Sequence, residues 1–243
     1  MQTPSFTIER RSDLNFKPPD FLCDKCIHTQ ITPPLPSTSH AIMLICGAPR
    51  SGKTSMMVSL LQEKQAYKKA FDQVFVVMPP SSARSLKKNI FEDHDKMFDD
   101  LDVSTLDTIL DQTRESTKEK LNSLVIIDDF GAALKDNEIQ RQLKELIWNR
   151  RHLRTSIWIL VQSYISVPLQ LRKAVSHIIA YKPRNKIEFH KIFEELVQLP
   201  REIADSLSRF IFDVKYNFMF LDCTSGEIYK KFDLIKVNEH NAG

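Results

Sequence analysis

The chain has 243 residues, of which 42% are hydrophobic and 27% are charged, and its formal net charge is +3. This balance excludes a disordered or fibrous protein, and the length suits one α/β domain with a sizeable core. The sequence has neither a run of 18 apolar residues nor the apolar segment of a secretory signal, so it predicts no membrane span and an intracellular location. Four cysteines are too few for a disulfide framework, which agrees with a reducing compartment.

The first 36 residues predict an extended, proline-rich N-terminal arm. They contain six of the twelve prolines, and proline lacks the N–H that a helix interior or a central strand needs. Within the arm, Cys23, Cys26 and His28 have the spacing of a zinc knuckle, but no second cysteine pair follows. His40 or a partner chain would have to complete the ligand set. Two free thiols are therefore the expectation, and zinc is the alternative.

Strand and helix patterns alternate through residues 37–243, which we expect to form one folded domain. Short apolar runs typical of strands buried on both faces lie at 41–46, 74–78, 123–127, 156–161 and 177–181. Helical spacing is found at 53–69, 104–120, 137–151 and 186–196. Residues 217–232 contain two extended runs joined by a turn with glycine, which predicts a C-terminal β-hairpin. The alternation predicts a mostly parallel sheet flanked by helices.

A phosphate-binding motif lies between the first predicted strand and the first predicted helix. The segment GAPRSGKT at 47–54 matches G-x-x-x-x-G-K-[ST] in the context that the motif requires. Gly47 and Gly52 are expected to let the backbone bend and aim N–H groups at phosphate, and a helix N-terminus adds positive potential. Lys53 would contact the β- and γ-phosphates, and Thr54 would bind Mg²⁺.

The cofactors predicted from this motif are ATP and Mg²⁺. The alternative is a glycine turn that only caps a helix. The residues expected to contact the nucleotide are Gly47, Ala48, Pro49, Arg50, Ser51, Gly52, Lys53, Thr54 and Ser55.

Two later strands end in polar residues at the point where a parallel sheet places its ligands. The run LVII is followed by Asp128 and Asp129. Asp128 is expected to hold Mg²⁺, and Asp129 to orient and deprotonate the attacking water. The run SIWILV is followed by Gln162, which could sense the γ-phosphate. The alternative for the two aspartates is that they are solvated loop acids at the end of a strand. The alternative for Gln162 is that it is a polar residue that follows a strand without a functional role.

Arginines near these strands could stabilise charge on a transferred phosphoryl group. Arg151 belongs to the segment NRRHLR, and Arg172 follows Pro168 at a predicted helix start. In ring ATPases a neighbouring subunit often supplies such a residue. Solvated arginines at helix ends are the alternative.

The charge is unevenly distributed along the chain. Residues 91–136 hold 13 acidic and 5 basic residues, whereas residues 141–186 hold 10 basic residues and the single acid Glu145. The acidic block includes an expected surface loop, which lacks the glycine that a Ca²⁺ loop needs. The basic block is expected to meet a phosphate-bearing partner such as DNA, without reading its sequence.

The order of motifs resembles a known family. GAPRSGKT, VIIDD, NRRHLRTSIWILVQSY and VPLQLRKAVSHI occur in this order, as in the genome-packaging ATPases of large nucleocytoplasmic DNA viruses and virophages. These form the poxvirus-type branch of the FtsK/HerA superfamily, and the likeness covers about residues 40–235. Many members carry Asp-Glu where this chain has Asp128-Asp129, which weakens the assignment of Asp129 as the base.

The resemblance implies a RecA-like P-loop NTPase that translocates double-stranded DNA into a capsid. It also implies a homo-oligomeric ring, contact with capsid or portal-vertex proteins, and a location in the cytoplasmic viral factory of the host cell with association to the virion. By resemblance, Lys53, Thr54, Asp128, Asp129 and Gln162 take the Walker A, Walker B and sensor roles. The alternative functions are a nucleoside or nucleotide kinase and an ATP-binding assembly module that does not hydrolyse ATP.

Overall fold

The protein contains one nine-stranded sheet in the part of the chain that a computed structural model describes, residues 30–84, 90–91 and 95–236. The strand order is β3-β2-β4-β5-β1-β6-β7-β8-β9. The strands are β1 Ile42–Cys46, β2 Gln73–Val77, β3 Met97–Phe98, β4 Ser123–Asp128, β5 Thr155–Val161, β6 His177–Tyr181, β7 Phe218–Asp222, β8 Ile228–Lys230 and β9 Asp233–Leu234.

Six neighbouring strands pair in parallel, in the spatial order β3, β2, β4, β5, β1 and β6. The strands β7, β8 and β9 then extend the sheet in the antiparallel sense. The prediction of a mostly parallel sheet with a C-terminal hairpin is therefore confirmed. The strands β1, β4, β5 and β6 are buried along their whole length, because helices or loops cover both faces. This burial explains their continuous apolar sequences.

Helices cover the two faces of the sheet unequally. The helices are α1 Lys53–Gln62, α2 Pro80–Arg84, α3 Val103–Lys118, α4 Asn137–Asn149, α5 Leu169–Arg172, α6 Lys186–Leu196 and α7 Arg201–Ile211. The helices α3, α4, α6 and α7 pack on one face, and α1 packs on the other. No helix in the described ranges is long and apolar enough to cross a bilayer.

The first helix is shorter than its sequence pattern predicts. We expected it to run from 53 to 69, but α1 ends at Gln62 because Glu63 adopts an extended conformation. Beyond this break, Tyr67 is buried, its hydroxyl donates to the carbonyl of Pro36 at 3.0 Å, and its ring meets the edge of the core residue Trp158. Burial of this tyrosine against the sheet therefore outweighs continuation of the helix.

The sequence patterns did not lead us to predict α7. Its buried residues Ala204, Leu207 and Ile211 have helical spacing, and Pro200 precedes it in a position that suits a helix start. The other predicted helices agree with α3, α4 and α6 within two residues at each end.

The zinc alternative cannot be placed on the structure, since Cys23, Cys26 and His28 lie outside the described residues. Among the residues that are described, no group of three His, Cys, Asp or Glu side chains could hold a metal ion. His40 lies beside β1, where its carbonyl accepts a hydrogen bond from Nε of Arg150 at 3.1 Å. Two free thiols in the arm therefore stay the prediction, and zinc stays the alternative.

Candidate nucleotide site

The polar ends of β1, β4 and β5 lie together at one edge of the sheet. These three strands are adjacent and parallel, so their carboxyl ends meet. Cys46 pairs with Val161, and Asp128 pairs with Leu160. The loop at 47–54 follows Cys46, Asp129 follows Asp128, and Gln162 follows Val161. We call this the carboxyl edge of the sheet.

Lys53 lies inside the phosphate-binding loop. Its side chain is nearly buried, with 8% of its surface exposed. The ammonium donates to the carbonyl of Gly47 at 2.8 Å and to that of Ala48 at 3.3 Å. Since an ammonium has three N–H groups, one donor is left for a phosphate oxygen. Gly52, which precedes α1, has φ +104°, a conformation that favours glycine.

Gly47 is needed for a different reason from the one expected. A Cβ atom there would lie 2.7 Å from Cβ of Tyr181 and 2.8 Å from Oγ of Ser51. Close approach of neighbouring atoms, rather than a tight bend, therefore requires glycine at this position. Oγ of Ser51 is buried and has no hydrogen-bond partner in the described chain. The loop thus holds a polar group that its own residues leave unsatisfied.

Thr54 and Asp128 are in direct contact. The Thr54 hydroxyl donates to a carboxylate oxygen of Asp128 at 3.0 Å, and only 2% of Asp128 is exposed. Burial raises the pKa of Asp128 to about 6, with a further increase from Asp129, while Thr54 and Lys53 oppose the shift. Two adjacent oxygen ligands of this kind suit Mg²⁺. A bound cation would also offset the cost of the buried carboxylate.

The electrostatics of the site are dominated by one ammonium and two carboxylates. Burial lowers the pKa of Lys53, and the carboxylates of Asp128 and Asp129 partly restore it. The three charged groups are therefore close enough to influence one another. The lysine and the aspartates therefore converge at one site, although 75 residues separate Lys53 from Asp128 in the chain.

Asp129 differs from its neighbour in both conformation and exposure. Its φ is +64°, which is uncommon for a residue other than glycine. Asp129 is exposed, and its carboxylate accepts a hydrogen bond from Nε2 of Gln162 at 2.8 Å. The predicted base and the predicted sensor are thus joined across neighbouring strand ends.

Arg172 is engaged within its own chain. Its guanidinium forms two hydrogen bonds to Glu195, at 2.9 and 2.8 Å, and a third to the carbonyl of Val167 at 2.6 Å. It also lies over the ring of Tyr164, 5.0 Å from the centroid. Arg172 is 9% exposed, so the structure does not present it to a second subunit.

Arg151 lies at the opposite edge of the sheet. It precedes β5, whereas Gln162 follows that strand. Seven residues of extended chain span about 23 Å, which separates Arg151 from the nucleotide site of its own chain. Any contact with a phosphoryl group therefore has to involve another copy.

The basic block of residues 141–186 does not form one surface. Arg141 lies on α4, where it pairs with Glu138 at 2.8 Å. The segment 150–154 lies just before β5, at the edge of the sheet opposite the carboxyl edge, which we call the amino edge. The charge of Arg172 is neutralised by Glu195. The basic residues that follow β6, at 182–186, are the part of the block near the phosphate-binding loop. The expectation that this block meets a phosphate-bearing partner therefore stays a prediction.

A cavity of about 750 Å³ extends from the phosphate-binding loop along the sheet edge. Its lining includes Tyr181, Tyr216, Phe218 and Lys231, which the sequence analysis did not identify. They come from β6 and from segments more than 160 residues beyond the loop. No local motif marks them, and only the order of the strands brings them to the site.

The sheet is mostly parallel, a phosphate-binding loop joins β1 to α1, and two aspartates lie at the end of β4. Together these features define a P-loop nucleoside triphosphatase. Comparison with known proteins narrows this class. The family model of the Poxvirus A32 protein matches residues 37–210. The chain belongs to this family. The resemblance to packaging ATPases of the FtsK/HerA superfamily is thereby confirmed, and the chain is an ATPase.

Solved structures share the fold at low sequence identity. The DNA-packaging ATPase B204 from Sulfolobus Turreted Icosahedral Virus is 16% identical, with a TM-score of 0.58 over 81% of this chain and 98% of that one. The genome packaging NTPase B204 from Sulfolobus turreted icosahedral virus 2, in complex with AMPPCP, is 15% identical, with a TM-score of 0.60 over 82% and 100%. ATPases 2 and 3 of EssC from Geobacillus thermodenitrificans are 12% identical, with a TM-score of 0.56 over 85% and 42%. A search of curated proteins finds no match.

Proposed function

We propose that ATP hydrolysis takes place at the carboxyl edge of the sheet and drives double-stranded DNA into a viral capsid. The observation that carries the proposal is the contact between Thr54 and Asp128, at 3.0 Å, beside the buried ammonium of Lys53. A hydroxyl, a carboxylate and an ammonium converge where a nucleoside triphosphate needs a metal ligand set and a cation. Solved structures of the same fold include one with AMPPCP bound, which supports a nucleotide at this loop.

Each residue of the site has a proposed role. The backbone N–H groups of residues 47–55 hold the phosphates, with Lys53 on the β- and γ-phosphates. Thr54 and Asp128 hold Mg²⁺, which when bound neutralises charge on the phosphate oxygens. Asp129 orients the attacking water and accepts its proton, and Gln162 keeps Asp129 in place and contacts the γ-phosphate.

The DNA partner would be held through its phosphates. The basic residues at 182–186 lie close to the nucleotide loop, and such contacts bind a backbone without reading its sequence. We propose a homo-oligomeric ring in which Arg151, which precedes β5, would contact the nucleotide of a neighbouring copy. Contacts with capsid or portal-vertex proteins, action in the cytoplasmic viral factory of the host cell and association with the virion belong to the same proposal.

The test is ATP turnover with and without double-stranded DNA. DNA is expected to stimulate phosphate release, and Lys53→Ala is expected to abolish release while leaving the fold intact. Gln162→Ala is expected to lower kcat with little change in KM, because it acts on the hydrolytic step rather than on ground-state binding. Hydrolysis that is indifferent to DNA at low salt would contradict the motor function.

The same assay separates the two alternatives. A nucleoside or nucleotide kinase would transfer the phosphoryl group to an added nucleoside, whereas an ATPase releases phosphate in its absence. An assembly module that does not hydrolyse ATP would bind the nucleotide and show no turnover. Neither alternative is favoured by a specific contact among the described residues.

A further inference from the structure

The cavity beside the phosphate-binding loop has one limb that the proposed hydrolytic mechanism does not use. Tyr181 ends β6, Phe218 begins β7, and Lys231 follows β8. Tyr181 pairs with Phe218, and the N–H of Lys231 donates to the carbonyl of Phe218 at 2.9 Å. The three residues therefore form a row along the carboxyl edge. We call this row, together with Tyr216, the aromatic limb.

The order of strands gives a bound nucleotide a direction. The groups assigned to the γ-phosphate end follow β4 and β5, on one side of β1, and the aromatic limb lies on β6, β7 and β8, on the other side. Neighbouring strands are about 4.8 Å apart, so the limb extends roughly 14 Å from the loop. A triphosphate whose terminal phosphate faces Asp128 must direct its nucleoside toward this limb.

Tyr216 is presented to the cavity by a constrained loop. Asn217 is buried, its side chain donates to Asp213 at 2.8 Å, and its N–H donates to the carbonyl of Val214 at 3.2 Å. Tyr216 itself has φ +67°, yet 57% of it remains exposed. A large exposed aromatic residue in an uncommon backbone conformation is typical of a ligand-contacting position.

Lys231 has the same combination of features. It is exposed and lines the cavity, and its φ is +57° in the tight turn between β8 and β9. Among the described residues, eight other than glycine have positive φ, and four of these lie at this site: Arg50, Asp129, Tyr216 and Lys231. Three of the other four follow closely after helices, where a left-handed residue is ordinary.

We propose that the aromatic limb binds the nucleobase of the nucleotide, with Tyr216 as the stacking surface and Lys231 as the opposite wall. This inference rests on the proposed binding of the phosphates at the loop. An aromatic face holds any base through its π-system, since stacking does not depend on the hydrogen-bonding pattern of the base. The chain is therefore expected to accept adenine and guanine nucleotides with similar affinity.

The test compares three probes on the full chain by isothermal titration calorimetry with Mg²⁺. The probes are the β,γ-methylene analogues of ATP and GTP and inorganic tripolyphosphate, which lacks a nucleoside. Tyr216→Ala is expected to weaken both analogues about 5- to 150-fold, the range measured for loss of base stacking, and to leave tripolyphosphate within about twofold. Tyr216→Phe keeps the ring and is expected to stay within about twofold of wild type for all three probes.

Controls separate this inference from the proposed function. Trp148→Ala removes an exposed aromatic residue at the end of α4, far from the cavity, and is expected to change no affinity. Lys53→Ala is expected to weaken tripolyphosphate together with both analogues, and failure to do so would refute the phosphate site itself. If Lys53→Ala behaves as expected but Tyr216→Ala binds the analogues like wild type, or loses tripolyphosphate equally, the nucleobase site is refuted alone. A strong preference for one base would refute the stacking mode.

Discussion

Replacing Asp128 by Asn removes a charge that the folded protein buries at a cost. Burial raises the pKa of this carboxyl from 3.8 to about 6, and a difference of about two in pKa corresponds to roughly 3 kcal/mol. Asn has nearly the same shape, and its carbonyl still accepts the hydrogen bond from Thr54. We therefore expect Asp128→Asn to raise the free energy of unfolding by up to about 3 kcal/mol at pH 7.5, and to abolish Mg²⁺-dependent hydrolysis.

The sign of the pH dependence follows from the raised pKa. The folded state binds the proton of Asp128 more tightly than the unfolded state, so lowering the pH from above 6 to below about 4 removes the cost of the charge. The increase in the free energy of unfolding caused by Asp128→Asn is expected to be complete above pH 6, to fall to about half near pH 5, and to vanish below pH 4. Proton linkage thus predicts a difference that depends on pH, unlike a simple change in packing.

The assay is urea unfolding of the nucleotide-free protein, with a chelator, at pH 7.5 and pH 5. Asp129→Asn is the matched control, because the neighbouring carboxylate is exposed, and it is expected to change stability by less than about 0.5 kcal/mol. No stabilisation by Asp128→Asn at pH 7.5, or equal stabilisation at both pH values, would show that burial of an ionised carboxylate is not the cause.

Three further predictions concern packing. Gly47→Ala is expected to lower the free energy of unfolding by about 1–3 kcal/mol through overpacking and to weaken nucleotide binding. The control is Gly226→Ala, which has open space around it; it is expected to lower the free energy of unfolding by about 1 kcal/mol and to leave nucleotide binding unchanged. Equal losses of nucleotide binding in the two variants would contradict this. Arg172→Ala removes two hydrogen bonds to Glu195, which keeps the hydroxyl of Tyr164 at 2.8 Å and the ammonium of Lys191 at 3.6 Å. The change is expected to lower stability by about 1–3 kcal/mol in urea unfolding; normal stability with slow turnover would instead support an action on a neighbouring subunit. Trp158→Ala is expected to cost about 3–5 kcal/mol by the same assay, and a loss below 1 kcal/mol would contradict its place in the core.

Local sequence patterns predicted a strand or helix correctly where its buried residues follow one regular pattern along the chain. The apolar runs of β1, β4, β5 and β6 could be recognised because these strands are covered on both faces. The helix α1 shows the limit of such patterns. Its spacing continues beyond Gln62, but the burial of Tyr67 against Trp158 ends the helix, and no local pattern predicts that long-range contact.

The sequence by itself determined the phosphate-binding loop, because the motif performs its function through its own backbone and its own lysine and threonine. It also indicated the polar ends of two strands, which any parallel sheet places at one edge. Only the tertiary structure decided which groups meet there: Asp128 with Thr54, and Asp129 with Gln162. It likewise paired Arg172 with Glu195 and divided the basic block among four places. The physical reason is that strand order and burial depend on contacts between distant segments, which local spacing does not specify.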